Sequence, residues 1–256
     1  MPSQIAPSIC LIGGCGRMGR MLTERAAKTQ YTLTSLDRPL TEEKIRTGTA
    51  NAGLVIFCVP ALALEDVLPM VCRTLPEDCI VSDITSVKDL PMRLMEKWWP
   101  GAVVGTHPLF GPNPESDQDL PVAITQGARA DEKALRTVED FMAALGFRCF
   151  RTSCEEHDSA MARIQNLNFI TNLAYFAMLA QHKELLPFLT PSFKRRLDAS
   201  KKMLTEDAPM FSGLFEANPQ SQEVVRQFRA ILSLAASGDI GLLCEKVQWW
   251  WTKENP

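Results

Sequence analysis

Short apolar runs alternate with stretches of helical character over the first 150 residues of the chain. The runs lie at residues 8–12, 31–36, 54–59, 79–83 and 103–105, and two further ones lie at residues 122–125 and 147–151. The segments between them are long enough for helices, and residues 17–29 have helical character. Near-continuous apolar strands separated by helices are typical of a parallel sheet covered on both faces. The pattern therefore predicts an α/β fold with a doubly wound parallel sheet.

The pattern changes near residue 155. Apolar positions then recur at helical spacing over about 30 residues, which predicts one long central helix. Residues 222–236 and 239–251 are also helical in period. We therefore expect a sheet domain of residues 1–154 followed by an all-helical domain of residues 155–256.

Composition excludes several classes of function. Apolar residues make up 46% of the 256 residues and charged residues 22%, which is typical of a folded soluble protein. The formal net charge of -3 and the absence of basic runs give no reason to expect nucleic acid as a partner. The sequence shows neither a signal peptide nor an apolar stretch long enough to cross a bilayer, so we expect a cytoplasmic protein without a membrane partner. The eight cysteines form no CxxC pair and the three histidines sit in no ligand cluster, so we expect no metal.

A glycine-rich loop follows the first predicted strand and opens the first predicted helix. The segment that fits G-x-G-x-x-G is Gly14-Cys15-Gly16-Arg17-Met18-Gly19. In this context the first glycine allows a tight turn, the second lets a pyrophosphate approach the backbone, and the third lets the helix pack closely on the strand. The free N–H groups of the helix then bind phosphate. We interpret residues 1–154 as a Rossmann-type dinucleotide-binding domain, and the alternative is a glycine-rich turn without a ligand.

An acidic residue follows the second strand, about 20 residues beyond the loop. Asp37 lies where a carboxylate accepts hydrogen bonds from the adenosine ribose, which favours NAD. Arg38 is its neighbour, and an arginine there is able to pair with the extra phosphate of NADP, which keeps NADP open. Val59 and Pro60 close the third strand on the side of the cofactor, or serve only to end that strand.

Two strand ends are predicted to meet at one place. The fourth strand ends in DITSVK, which contains Asp83, Ser86 and Lys88, and the fifth ends in GTHPLFGP, which contains His107. In an open α/β sheet, ligands bind at the carboxyl ends of the strands. A neutral imidazole there is able to accept the proton of a substrate hydroxyl while a hydride leaves the same carbon. The alternative is that His107 only caps the end of its strand.

Four motifs together resemble the prephenate dehydrogenase family of tyrosine biosynthesis. They are GGCGRMG, DITSVK, GTHPLFGP and EEHDSAMARIQ, in this order. The resemblance implies a Rossmann domain followed by a helical domain that forms a homodimer. It also implies that prephenate is oxidised at its ring hydroxyl with NAD or NADP and loses its ring carboxylate as carbon dioxide, giving 4-hydroxyphenylpyruvate. The resemblance places the catalytic base at His107, with Ser86 helping to hold His107 and the cofactor.

The helical domain departs from the family's pattern at two positions. Relatives carry a histidine shortly after the IQ of the long helix, whereas this chain has Asn168 and Phe169. The family's carboxylate-binding arginine aligns with Lys202, beside Lys201, and lysine loses the two-pronged grip of a guanidinium. Prephenate, arogenate and a related cyclic acid therefore all stay open as substrates.

Three further polar residues complete the expected site or its surroundings. Thr106 and Gln165 are assigned to substrate binding, and for Gln165 the alternative is helix packing. His157 is assigned to the start of the long helix, without a catalytic role.

Two other functions compete with the leading interpretation. One is a reductase acting on an imine or a hydroxy acid, and the other is a nucleotide-sensing protein that has kept the fold. GTHPLFGP argues against the first, and the set formed by the glycine loop, Asp37, Ser86 and His107 argues against the second. The positions of the first and last motifs lead us to expect a dehydrogenase core without an added mutase or regulatory module.

Overall fold

Seven strands form one sheet in the order β2-β1-β3-β4-β5-β6-β7. The computed structural model describes residues 7–114, 116 and 118–252. The strands are β1 (Ser8–Ile12), β2 (Leu33–Leu36), β3 (Ala52–Phe57), β4 (Ile80–Asp83), β5 (Val103–Pro108), β6 (Pro121–Gln126) and β7 (Arg148–Arg151). Because β2 lies on one side of β1 and β3 on the other, the chain reverses its winding direction at β1. The crevice at this reversal is where open α/β sheets bind their ligands.

Helices cover both faces of this sheet. They are α1 (Arg17–Ala26), α2 (Glu42–Thr49), α3 (Leu64–Cys72), α4 (Asp89–Trp98) and α5 (Glu132–Ala144). One apolar core forms where α1 and α5 pack on the sheet, and a second forms under α2, α3 and α4. Fully burying a side chain such as Leu22 or Leu68 contributes about 1.5–3 kcal/mol. The prediction of a doubly wound α/β domain is confirmed.

One strand pair departs from the predicted all-parallel arrangement. β6 runs antiparallel to β5, while every other neighbouring pair is parallel. The connection between β5 and β6 contains no helix within its described residues, so no crossover returns the chain to the starting edge.

Strand β5 is longer than predicted. It was expected to end at Gly105, which pairs with Asp83 at the end of β4, but it continues to Pro108. The extra residues pair with β6, and His107 lies opposite Ala123. His107 therefore belongs to a strand that extends beyond its neighbour, and not to a turn.

The helical part of the chain begins at Cys154, one residue before the predicted boundary. Its helices are α6 (Cys154–Met161), α7 (Leu167–Leu179), α8 (Pro191–Thr205), α9 (Ala208–Ala217), α10 (Ser221–Ala236) and α11 (Ile240–Val247), with short 3₁₀ turns at Lys183–Phe188 and Gln248–Trp251. The predicted long helix is interrupted, because a π-helical turn at Ala162–Asn166 separates α6 from α7. Within the described residues, no helix is both long and apolar enough to span a bilayer.

Candidate active site

A cavity of about 700 Å³ lies between the ends of the strands and the helical domain. The sheet domain lines it with the glycine loop, the residues that follow β3 and β4, and the end of β5 with the residues after it: Gly16, Arg17, Met18, Cys58, Val59, Pro60, Ala61, Ile84, Thr85, Ser86, His107, Pro108, Leu109, Phe110, Gly111 and Pro112. The helical domain contributes Met161, Ile164, Gln165, Asn168, Lys202, Met203, Asp207, Met210, Phe211 and Leu214. The cavity thus brings the expected cofactor loop and His107 together with Gln165 and Lys202.

The glycine loop makes a tight turn at Gly13, one residue earlier than predicted. Gly13 has a φ of +93°, which residues other than glycine rarely adopt. Gly14 needs to be small for a different reason, because a Cβ there would collide with the Ser35 hydroxyl. A Cβ on Gly19 would lie 2.6 Å from the Gly14 Cα, so Gly19 allows α1 to start against the loop. Helix α1 begins at Arg17 with its first N–H groups directed at this end of the sheet.

Asp37 lies against the same loop. Its Oδ2 accepts the backbone N–H of Cys15 at 2.8 Å, so the carboxylate is fixed beside the expected ribose position. Arg38 is exposed. Gly14, Cys15, Gly19, Asp37 and Arg38 do not line the cavity described above and instead form or flank the loop at its edge.

His107 is the first member of a buried hydrogen-bonded chain. Its Nδ1 lies 2.9 Å from Nε2 of His157, and Nδ1 of His157 lies 2.8 Å from Oδ1 of Asp158. The three side chains are almost wholly buried, with exposed fractions of 4%, 3% and 1%. The extension of β5 beyond β4 and the first turns of α6 bring these two distant segments together.

The hydrogen bonds among His107, His157 and Asp158 favour one arrangement of protons on the two histidines. An ionised carboxylate only accepts hydrogen bonds, so Asp158 takes the Nδ1–H of His157. His157 then accepts the Nδ1–H of His107 at Nε2, and Nε2 of His107 keeps its lone pair. Burial lowers the pKa of His107 well below its ordinary value, and the nearby His157 and Lys88 act in the same direction. The arrangement provides a neutral base at the cavity wall.

These contacts correct the assignment of His157. Helix α6 is capped by Ser153, whose hydroxyl accepts the Glu156 N–H in a capping box, and not by His157. Ser86 lines the cavity, but no hydrogen bond joins it to His107 among the described residues. His157, and not Ser86, holds His107 in place.

Thr106 lies outside the cavity, contrary to the substrate-binding role expected for it. It is wholly buried, and its hydroxyl donates to the backbone carbonyl of Asp83. Its own carbonyl accepts a hydrogen bond from Lys88 Nζ at 2.7 Å. Thr106 therefore joins β5 to the end of β4 beneath the cavity.

Charged groups from both domains also meet at this cavity. Asp207 precedes α9, and its Oδ1 accepts a hydrogen bond from Arg17 Nη2 at 2.6 Å. Its Oδ2 lies 3.9 Å from Lys202 Nζ. Lys202 therefore faces the cavity, whereas its neighbour Lys201 does not line it.

The π-helical turn positions the polar residues that follow α6. Gln165 lines the cavity, and its buried Oε1 has no hydrogen-bond partner among the described residues, so this atom is able to accept a hydrogen bond from a ligand. Asn168 also lines the cavity. Phe169 does not, because it is 2% exposed and stacks on Phe211 with 5.4 Å between ring centroids. π-turns of this kind are frequent at functional sites.

Sequence reasoning missed several residues of this site. His157 and Asp158 stood in one of the quoted motifs, EEHDSAMARIQ, so the signal was present and was interpreted only as a helix start. Gly13 stood directly before the fingerprint. Asp207 carried no signal, because nothing in the sequence places it beside Arg17.

Comparison with known proteins identifies relatives of the chain. Residues 23–150 match the family model of the prephenate dehydrogenase nucleotide-binding domain. The T-protein of Enterobacter agglomerans is 28% identical over 239 residues, which cover 90% of this chain and 63% of that protein. Arogenate dehydrogenase 2, chloroplastic, of Arabidopsis thaliana is 28% identical over 183 residues, which cover 68% of this chain and 50% of the relative. The chain spans about 60% of the length of the curated T-proteins that it matches.

Solved structures share the fold. Prephenate dehydrogenase from A. aeolicus, in complex with hydroxyphenyl propionate and NAD+, superposes with a TM-score of 0.80 at 18% identity and covers 96% of this chain and 97% of that one. Synechocystis arogenate dehydrogenase superposes with a TM-score of 0.75 at 18% identity, covering 95% and 97%.

Proposed function

Because the chain belongs to the prephenate dehydrogenase family, we propose that it oxidises prephenate to 4-hydroxyphenylpyruvate with release of carbon dioxide, using NAD. The observation that carries this proposal is the chain from His107 through His157 to Asp158, which presents a neutral base to a cavity that also contains the glycine loop. A base, a dinucleotide site and a cation in one cavity are the components that the reaction requires.

The residues of the cavity have separate tasks in this reaction. His107 accepts the proton of the ring hydroxyl at Nε2 as the carbon that bears this hydroxyl loses a hydride. A bound nicotinamide supplies the hydride acceptor. The bond to the ring carboxylate breaks, carbon dioxide leaves and the electron pair completes the aromatic ring. The protein mainly orients the reactants, since aromatisation makes the reaction strongly favourable.

His157 and Asp158 orient His107 for this proton transfer. When His107 gains a proton at Nε2, its Nδ1–H remains bonded to His157, which the carboxylate of Asp158 orients. The positive charge that develops on His107 is buried, which keeps its pKa low, and the bonds to His157 and Asp158 hold its Nε2 in one orientation.

The loop residues fit a dinucleotide. The positive φ of Gly13 and the tight contacts of Gly14 and Gly19 leave the first N–H groups of α1 free to bind phosphate. Asp37, fixed by the Cys15 N–H, is positioned to accept hydrogen bonds from the adenosine ribose, which favours NAD over NADP.

Lys202 is our proposed partner for a substrate carboxylate. Lys202 lines the same cavity as His107, and Gln165, which also lines it, has in Oε1 an acceptor without a partner among the described residues. A lysine in this position attracts the carboxylate as a point charge, without the directional grip of arginine.

We also propose that the helical domain forms a homodimer. Large apolar side chains are exposed on its 3₁₀ turns and on α10, including Leu186 at 67%, Phe188 at 77%, Leu232 at 56% and Trp250 at 64%. Large exposed apolar patches mark interaction sites, and a dimer interface would remove these side chains from water.

The proposal is tested with purified protein, prephenate or arogenate, and NAD or NADP, following the absorbance of the reduced dinucleotide. We expect the highest kcat/KM with prephenate and NAD. A higher kcat/KM with arogenate would make arogenate the substrate and leave the proposed type of reaction unchanged. Absence of reduced dinucleotide in all four mixtures would exclude the proposed activity.

A further inference from the structure

A buried ion pair lies beneath the base and takes no direct part in the chemistry described above. Lys88 Nζ donates to both carboxylate oxygens of Asp83, at 2.7 Å and 2.6 Å, and both side chains have no exposed surface. Removing two charges from water costs about as much as their attraction returns, so such a pair is weak evidence of added stability. Its position suggests another role.

Three separate segments meet at this pair. The Lys88 ammonium donates to the carbonyl of Thr106, the residue before His107. The Lys88 backbone N–H donates to Asp158 Oδ1 at 2.8 Å, and the Asp89 N–H donates to Asp158 Oδ2 at 2.9 Å. Lys88 therefore bonds to Asp158 through its backbone and to the residue before His107 through its side chain.

We propose that Lys88 is a positioning residue of the active site: paired with Asp83, it fixes His107 and Asp158 relative to each other, so that His107 stays oriented toward the substrate. The inference rests on the proposed function, because it concerns the same base. Apart from this link, the hydrogen bond between the side chains of His107 and His157 joins β5 to α6 at the site.

The charge of Lys88 has a second consequence for His107. The ionisable groups that act on the pKa of His107 are His157 on α6 and Lys88, which precedes α4. His157 is bonded to Asp158, and Lys88 to Asp83. The positive charge of Lys88 opposes protonation of His107 and thereby lowers its pKa, in addition to the larger effect of burial. Loss of Lys88 should raise the pKa of His107.

The first test is Lys88→Met, which keeps the length of the side chain and removes its charge. The control is Lys97→Met, the same substitution at an exposed position of the helix that follows Lys88. We expect Lys88→Met to lower kcat by about 10- to 100-fold, the effect of misplacing a reactive group, with KM and NAD affinity unchanged. The acidic limb of its pH profile should move to higher pH.

Lys88→Met leaves the buried carboxylate of Asp83 without the ammonium group of Lys88, which endangers folding. A second variant covers the case in which Lys88→Met does not fold. Lys88→Met combined with Asp83→Asn removes both charges together, which buried pairs tolerate better than the loss of one member. We expect the same loss of kcat. A folded variant with wild-type kcat and only a lower Tm would overturn the positioning role.

Proton NMR of the histidine rings gives a readout that does not depend on turnover, since the chain has only three histidines. In Lys88→Met the His107 signal should titrate at higher pH than in the wild type. An unchanged titration would contradict the inference even in an active enzyme. If the wild type turned over none of the substrates, the proposed function would fail and this titration would still test the link between Lys88 and His107.

Discussion

His107 and His157 are 50 residues apart in sequence, and Nδ1 of His107 lies 2.9 Å from Nε2 of His157 in a buried contact. Because His157 in turn bonds to Asp158, the proton on His107 is directed to Nδ1 and the cavity faces the basic Nε2. Substitution of His107 and substitution of His157 should therefore lower kcat to different extents.

His107→Asn should remove the base and keep the fold. We expect kcat to fall by about 10²- to 10⁴-fold, the usual contribution of general base catalysis, with NAD affinity unchanged. The matched control is His182→Asn, because His182 is exposed and its side chain bonds only to Glu184 among the described residues. Normal turnover by His107→Asn would remove this residue from its proposed role.

His157→Gln should weaken catalysis without abolishing it. The base remains, but its Nδ1 loses the partner that fixes the ring, so we expect kcat to fall by about 10- to 100-fold. His157 also lowers the pKa of His107, so its loss should move the acidic limb of the kcat profile to higher pH. A variant with wild-type kcat and profile would show that the contact is structural only.

The pH dependence of the wild type follows from the lowered pKa of His107. A base with a low pKa stays unprotonated in mildly acid solution, so kcat/KM should remain on its plateau as the pH falls through about 6.5, the ordinary value for histidine. An acidic limb centred at or above this value would contradict the assignment.

The lowered pKa of His107 also makes the free energy of unfolding depend on pH. The unfolded chain binds a proton at His107 more readily than the folded one, so the stability contribution is present above about pH 6.5 and is lost as the pH falls toward the lower folded pKa. Thermal unfolding of the wild type and of His107→Asn, measured across this range, should show a smaller acid-induced decrease in Tm for the variant.

Lys202→Ala should impair substrate binding selectively. The loss of a charged contact to a carboxylate should raise KM by about tenfold and leave NAD affinity unchanged. Lys201→Ala is a close control, since the neighbouring lysine does not line the cavity. Equal KM values for the two variants would place the carboxylate elsewhere.

The homodimer is tested by light scattering of the wild type and of Leu232→Glu, which places a charge on the exposed apolar face of α10. We expect twice the chain mass for the wild type and a shift toward the monomer for the variant, because burying an unpaired charge is costly. Lys133→Glu, on an exposed position of α5 in the sheet domain, should not change the mass. A monomeric wild type would refute the proposal.

The sheet domain was largely predictable because its signals are local. Apolar runs identified the strands, and the glycine loop identified the end of β1 and the start of α1. The antiparallel β6 was not predicted, although the absence of a helical pattern between residues 105 and 122 was a usable signal, since a parallel return needs a crossover.

The site was predictable only in part because much of it depends on contacts between distant segments. His107 stood out through its motif, whereas its partner His157 was assigned to a helix start. The bond between Asp207 and Arg17 spans 190 residues and leaves no trace in periodicity. The π-helical turn also escaped prediction, because one additional residue in a helical turn hardly alters the apolar pattern.

Asp158 also joins helix α6 to two other parts of the molecule. Both of its carboxylate oxygens hold the first residues of α4, and its backbone carbonyl accepts a hydrogen bond from Asn218 at 2.8 Å. The predicted boundary between the two domains therefore lies beside hydrogen bonds that join α6 to the start of α4. We expect an opening that admits substrate to have its hinge elsewhere, and the π-helical turn after α6 is the first place along the chain where the regular helix is already broken.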